Sequence, residues 1–423
     1  MQRMSGHLSF TPVVRVRMGS IISLPLELMM KLSRDKDKIE SEVVNFFYAL
    51  FNGYHKTDLF IGNSLFVPRN ENSADFLSYL PPLDTGLSNA MHEDINLSDL
   101  QEVLKSCCDN KYPGLHGLTY EFYKRTWDII KEVFMRVLQC QLDRLRLIES
   151  DKIGATRLLS KVSGIPFVEE LRPIILLNCD YGSLFKLLVL RLKPTLPHVI
   201  KSGQLCTVAG KNILFGISNI LSTVFYSNQK NRKACLMSLV YFKAYDRVLL
   251  SFLIIVMRKM NLSPIFCSWI EMMHHGARTR FILGRGLSDI ISLSFLIRQG
   301  DPLAMLLYLI FIEPLLLFLE KRISGHFLPN LRTIDAFCDD LNVMTNKEEN
   351  LMVVDSAVAK FESISGAVLS RNRKCEILEF GRWKERNDWP LGYFRPVKET
   401  KIFGIIISNT YKQMLQKNWE SRI

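Results

Sequence analysis

The sequence predicts an α+β fold in which a mainly helical N-terminal extension leads into mixed sheet and helix. Three observations carry this prediction. In DKIESEVVNFFYALFNGYH, residues 37–55, apolar residues recur at helical spacing. From 147 to 178 short apolar runs alternate with turns, and from 235 to 380 strand-like runs alternate with long apolar helices. In AFCDDLNVM, residues 336–344, two adjacent aspartates lie between apolar flanks that read as the strands of a hairpin. With 423 residues, 48% of them hydrophobic, the chain can bury a core in each of two or three domains.

Taken in order, MQRMSGHLSFTPVVRVRMGS at the N-terminus has arginines where a signal peptide needs an unbroken apolar core, so secretion is not expected. PPLDTGLSNAMHEDIN, residues 81–96, is polar with Pro and Gly and reads as a linker. Ser98-Asp99-Leu100-Gln101 matches a capping box opening a helix that carries Leu100, Val103 and Leu104. KYPGLHGLTYEFYKRTWDII, residues 111–130, reads as a Gly-rich turn entering a helix with Phe122, Trp127 and Ile130 on its apolar face. Residues 181–200 read as a helix containing Lys186, Arg191 and Lys193. LAMLLYLIFIEPLLLFLE, residues 303–320, is short of the ~20 residues a bilayer requires, and Glu313-Pro314 would put a charge and a kink near its middle. It reads as a buried core helix, with no membrane partner. A basic strand and helix close the chain.

Lys and Arg outnumber Asp and Glu by 54 to 42, a formal net charge of +12 that favours a polyanionic partner such as nucleic acid or simply reflects a solvated basic surface. Nine cysteines without a C-x-x-C pair indicate neither a disulfide framework nor a zinc site. They fit a reducing, intracellular setting, nucleus or cytoplasm.

Two stretches carry chemistry. Adjacent acids at a strand turn, Asp339 and Asp340, are either a metal site or an ordinary polar turn, because two like charges side by side are costly to bury unless a cation neutralises them. SLVYFKAYDRV, residues 238–248, is an apolar run stopping at a charged, aromatic turn, where sheet proteins often build active sites, yet no carboxylate stands at its end.

Several further segments fall in a telling order. PGLHGLTYEFYKRTW resembles PGxDGLTxEFYKxFW, ELRPIILLNCDYGSLFKLLVLRL resembles NWRPISLLNxDYKIxxKxLAxRL, and QLCTVAGK, residues 204–211, resembles QxGFVxGR. YFKAYDRV matches the tail of LDxEKAFDRV, RQGDPLAMLLYLIFIEPL matches RQGCPLSPLLFxLxxEPL, and FCDD matches YADD. SGAVLSRNRKCEIL resembles SGLKLNxxKSEIL, and KIFGI with the late NWE resembles YLGI and NWE. From residue 113 to about 407 this order resembles the reverse transcriptase of non-LTR (LINE-type) retrotransposons.

The resemblance implies a right-hand polymerase fold with fingers, a palm with an antiparallel sheet and a partial thumb. It implies an N-terminal extension over 1–95, an upstream segment and fingers over 96–234, a palm over 235–385, and the palm end with a truncated thumb over 386–423. It implies an RNA template, a DNA primer or RNA/DNA hybrid, and dNTP as partners; the oligomeric state is left open. In such a palm two divalent ions, Mg²⁺ for the family, stabilise the entering and leaving oxygens of phosphoryl transfer, and hard Mg²⁺ takes carboxylate oxygens.

By position, Asp339 and Asp340 match the metal-binding acids of YADD. Tyr245 matches the aromatic beneath the sugar, an ordinary core tyrosine being the other reading. Gln299 and Gly300 resemble the residues under template and nucleotide base, while Arg298 is either part of that set or a surface charge. Lys161 and Arg172 resemble the fingers cations that hold the triphosphate. Lys374 resembles the lysine proposed to protonate the leaving pyrophosphate, or else belongs to a phosphate-tracking basic patch.

Counting back from Tyr245 in LDxEKAYD puts the third metal-binding aspartate at position 240, where this sequence has Val240; Phe242 replaces a glutamate. Asp246, if 241–246 begins a helix, lies ~9 Å of axial rise away, too far to act within the ~2.1 Å a ligand needs. Other departures are His116 for Asp, Ala304-Met305 for Ser-Pro, Ser160 for Pro, and Phe295-Leu296 for Arg-Gly. With no upstream endonuclease and no downstream Cys/His knuckle, the expectation is a truncated, degenerate copy whose polymerase is impaired. The alternatives are a non-catalytic RNA/DNA-binding protein and a functionless remnant.

Overall fold

Which residues pair, and with what, is answered by a computed structural model that describes residues 36–52, 71–163, 166–284, 286–294, 297–323, 331–371, 374–384, 386 and 388–419. The N-terminal stretch 1–20, Phe295-Leu296 and the last residue of NWE lie outside the described residues. The chain divides into two compact units: Met1–Lys56, Asn96–Leu184 and Met272–Asp301 form one, and Thr57–Ile95, Phe185–Glu271 and Pro302–Ile423 the other.

The first unit holds a five-stranded sheet. Strand β1 (Ile153–Ser160) pairs antiparallel with β2 (Leu171–Leu176) and parallel with β4 (Arg278–Leu283), and β4 also pairs with β5 (Gly286–Leu287) and β6 (Ile291–Ser292). Buried Thr156 and Thr279 hydroxyls meet at 2.6 Å across the β1–β4 pair, each satisfying the other. The helix Lys36–Asn52 forms as its spacing predicts, burying Val43, Phe47, Leu50 and Phe51, with the Phe47 ring 5.4 Å from that of Phe281. Helix Leu97–Ser106 is capped by Asn96, whose side chain accepts from the Asp99 N–H at 2.9 Å, so the expected Ser98 capping box is replaced by a cap two residues earlier. Helix Tyr120–Asp143 buries Tyr123 and Trp127, but Phe122 is exposed, contrary to the apolar face read from sequence.

The second unit is built on strand β3 (Ala234–Val240), the central strand of a five-stranded sheet. It pairs antiparallel with β8 (Asp340–Thr345) and β9 (Glu376–Phe380); β7 (Ile334–Phe337) pairs antiparallel with β8, and β10 (Arg395–Val397) parallel with β9. A strand with partners on both sides and cover on both faces reads as the near-continuous apolar run ACLMSLV. On one face Ala234, Leu236, Met344, Leu378 and Phe380 pack with Ile220 and Val224 of helix Ile213–Gln229. The hairpin β11 (Glu399–Ile402) and β12 (Ile405–Ser408) adds Ile402 and Ile407 to the same cluster, and Met414 of helix Tyr411–Trp419 closes it. Each of the fully buried Val, Leu, Ile, Phe and Met side chains among them contributes roughly 1.5–3 kcal/mol.

Helix Ala304–Arg322 is buried over nearly its whole length, its Phe311 and Phe318 packing with Phe76, Phe252 and Phe361. Among the described residues no helix is long and apolar enough to cross a membrane. Glu313 inside it is buried and accepts from the Lys201 and Ser202 N–H groups and the Ser202 hydroxyl, which explains how an acid sits in this run. The segment 81–96 contains a helix, Thr85–Ala90, with Asp84 accepting from the Gly86 and Leu87 N–H groups. The expected linker is therefore structured, and Leu83 N–H donates to Met260 O at 2.7 Å.

Candidate active site

The two aspartates stand where the sequence puts them, at the tip of a hairpin. Phe337 and Asp340 form its closing pair, so Cys338 and Asp339 make a two-residue turn, with Asp339 half-buried and Asp340 exposed. Cys338 has φ 53°, a left-handed conformation that is uncommon for residues other than glycine. Gln204, fully buried, holds it there. Its Oε1 accepts from the N–H groups of Cys338 at 3.0 Å and Cys206 at 3.2 Å, and its Nε2 donates to Cys338 O at 3.2 Å. The neighbouring backbone continues the arrangement: Leu205 N–H donates to Ala336 O and Ala336 N–H to Gly203 O.

Across the β3–β8 ladder Val240 is the direct partner of Asp340. Directly opposed residues put their side chains on the same face with Cβ atoms roughly 4.5–5.5 Å apart. Val240 therefore lies on the same sheet face as Asp340, and both line a cavity of about 280 Å³ together with Ser238, Asn342, Lys374 and Glu376. Although residue 340 as a whole is exposed, the surrounding protein partly desolvates the Asp340 carboxyl and raises it above its ordinary value, and the charge of Asp339 adds to this.

Two further acids share this face, both level with Ser238 two rungs from Val240: Asp335, opposite Asn342 and within 3.3 Å of the Arg332 guanidinium, and Glu376, opposite Ser238. Of these Glu376 lines the cavity. It accepts from the Arg395 guanidinium and, at 2.6 Å, from the Thr400 hydroxyl, so its oxygens are already engaged. Asp246 is buried in a short 3₁₀ turn, Ala244–Arg247, beyond Lys243 at φ 50°. Among the described residues no group of three or more His, Cys, Asp and Glu side chains is arranged to hold a metal. One acid in the turn and one at the start of β8, facing a hydrocarbon on β3, do not fit a two-ion centre.

Val240, Asp339, Asp340, Tyr245 and Lys374 all belong to the second unit. The half-buried Tyr245 ring lies 4.8 Å from that of Tyr308. Burial pushes its hydroxyl above the usual value, with Cys338 and Asp339 adding to the shift. Lys161, Arg172, Arg298, Gln299 and Gly300 belong to the first unit. Arg172 is exposed on β2 opposite Leu159, and Lys161 N–H donates to Glu170 O, extending the β1–β2 register so that Lys161 and Arg172 share a face.

Arg298 is not a surface charge: it is 1% exposed, donates to the Tyr181 hydroxyl and Met273 O at 2.8 Å each, and lies over the Tyr181 ring. It anchors the turn that follows. Gln299 O accepts from Ile175 N–H at 2.7 Å, and Gly300 has φ 107° where an added Cβ would meet Ile175 O at 2.5 Å. That close approach requires glycine.

Gln204 is the site residue that sequence reasoning missed. The only sequence signal for it is its place at the head of QLCTVAGK.

Residues 160–407 match the reverse transcriptase (RNA-dependent DNA polymerase) family. Over 303 residues, 71% of this chain, the sequence is 29% identical to the transposon TX1 uncharacterized 149 kDa protein of Xenopus laevis. The aligned part is 23% of that relative, so the chain spans about a quarter of its length.

Proposed function

Because the chain belongs to the reverse transcriptase (RNA-dependent DNA polymerase) family, as a LINE-like domain, we propose that it adopts the right-hand arrangement with polymerisation disabled at one rung of the sheet. The five-stranded sheet around β3 is the palm, β1 and β2 belong to the fingers, and the chain after 386 is the palm end and the start of a thumb. The N-terminal extension ends near 95. Nucleic acid and nucleotides are the family's substrates; an RNA template, a DNA primer and dNTP are the specific partners proposed here.

Members of the family generally use divalent metal ions, and Mg²⁺ is the ion this reading assigns. Such an ion would supply charge stabilisation at the oxygens of the transferred phosphoryl group. Asp339 and Asp340 supply oxygen from the β7–β8 hairpin only. Opposite them Val240 offers no lone pair, and Glu376 is held by Arg395 and Thr400. The other proposed roles need no cation. Tyr245 lies beneath the sugar, the Gln299–Gly300 backbone supports a base, and Lys161 and Arg172 bind triphosphate oxygens, while Lys374 would protonate the leaving group only where transfer proceeds.

The observation that carries the impairment is the register that sets Val240 directly against Asp340. Primer extension on an RNA template with Mg²⁺ or Mn²⁺, run on the unaltered chain and on Val240→Asp, tests it. The expected result is negligible synthesis by the unaltered chain and a gain of at least about 100-fold in the variant, beyond the 10–100-fold typical of groups that merely orient a metal ligand. Robust synthesis by the unaltered chain would overturn the proposal.

A further inference from the structure

At the catalytic turn two thiols meet. Cys338, in the turn itself, and Cys206, in the segment that braces it, have their Sγ atoms 2.8 Å apart, and Cys206 Sγ lies 3.4 Å from Met305 Sδ. Both cysteines are buried, while Met305 reaches the surface. In the motif patterns quoted above, Cys206 stands at the glycine of QxGFVxGR and Cys338 at the alanine of YADD, so each thiol occupies a position where the pattern has a small, inert residue. The two positions are 132 residues apart in sequence. The backbone around them is already tied: Gln204 bridges the Cys206 and Cys338 N–H groups, and Gly203 and Leu205 bond to Ala336.

We propose that Cys206 and Cys338 are a modification site, oxidised by a peroxide to a disulfide that fastens the turn bearing Asp339 and Asp340 to the 203–211 segment. The separation is what distinguishes this from a metal site. Two thiolates on one tetrahedral zinc, each at about 2.3 Å, lie about 3.8 Å from each other. At 2.8 Å the sulfurs are closer than a shared ion permits and need little movement to reach the ~2.05 Å of a bond. One thiol attacks a peroxide oxygen; the O–O bond breaks, one oxygen stays on sulfur as a sulfenic acid, and the other leaves as water with the thiol proton. The second sulfur then displaces the sulfenic oxygen, which leaves as a second water. Two thiols and one hydrogen peroxide give one disulfide and two waters. The inference stands whether or not the palm polymerises.

The test treats the full chain with hydrogen peroxide, alkylates the remaining thiols, digests without reductant and maps linked peptides by mass spectrometry. The expected result is one dominant intrachain link, Cys206 to Cys338, with loss of two titratable thiols per chain. Melting should rise on the order of 5 °C, reversed by dithiothreitol, because the link closes a long loop. Recovery of both cysteines singly alkylated, or linked instead to exposed Cys108 or Cys140, would overturn the proposal. A second arm titrates Cd²⁺: a cadmium–thiolate absorption that needs both cysteines, without cross-linking by peroxide, would make the cluster a soft-metal site and also overturn it. Cys206→Gly and Cys338→Ala, the residues of the quoted patterns, should each abolish the link and the melting shift. Should either variant fail to fold, the peptide map of the unaltered chain decides alone.

Discussion

The end of β3 and the β7–β8 turn face each other across one rung of the same ladder and carry opposite chemistry. The turn is tied down by a specific side chain: Cys338 sits at φ 53° with its N–H and its carbonyl both bracketed by Gln204. The strand end needs none. Val240 keeps its place through its pairing with Asp340 and through its carbonyl, which accepts from Ser370 N–H at 2.8 Å, and a β-branched residue suits a strand better than an aspartate does. Folding thus tolerates at position 240 a change that the proposed chemistry does not.

That contrast can be broken or sharpened by experiment, beginning with activity. If the gain of extension in Val240→Asp comes from completing an acidic set, adding Asp339→Asn should remove it again by at least about 100-fold. Retained synthesis in the double variant would separate the two strands functionally and break the comparison.

Next in size is the turn itself. Gln204→Leu strands the buried N–H and carbonyl of Cys338 and should cost about 2–3 kcal/mol in urea unfolding, because an unsatisfied buried polar group costs more than a bond is worth. A change under about 0.5 kcal/mol would show that the turn holds without its bracket.

Asp335, buried on β7, gives a pH signature. Burial raises its carboxyl from 3.8 to about 7, opposed by the Asn219 amide and Arg332. The folded chain therefore holds a proton that the unfolded chain releases between those values. The stabilisation is full below about pH 4 and is lost as pH rises through about 7. Asp335→Asn should flatten the fall in stability over that window, by on the order of 2 kcal/mol in denaturant titrations at both ends. An unchanged slope would place the proton elsewhere.

The smallest effect expected is the cost of Val240→Asp without metal: about 1 kcal/mol, from a second carboxylate set directly against Asp340. Mn²⁺ should restore it.

How much of this was legible in the sequence follows from the range of each interaction. The D-D hairpin, the helix Lys36–Asn52 and the valine at position 240 are written in local pattern and motif spacing, and the register sets that valine directly against Asp340. The helix Thr85–Ala90 was hidden because Pro, Gly and polar residues mimic a linker, while its stability comes from the Asp84 cap. Ser98 and Asn96 are both good caps and the box spacing points to the later one, whereas the Asp99 N–H bonds to Asn96. Arg298 and Gln204 were unreadable for another reason. Their partners, Tyr181 and Cys338, are 117 and 134 residues away, and nothing in the local sequence distinguishes a buried anchor from a surface residue.

The central claim is that the strand opposite Asp340 has lost the donor that would complete a cation site. Manganese binding measures this without requiring nucleic acid or turnover. Titrated with Mn²⁺, the Val240→Asp chain should bind at least about 10-fold more tightly than the unaltered chain, and Asp339→Asn should abolish the difference. Equal affinity of the two chains, at a site that still depends on Asp339, would contradict the account.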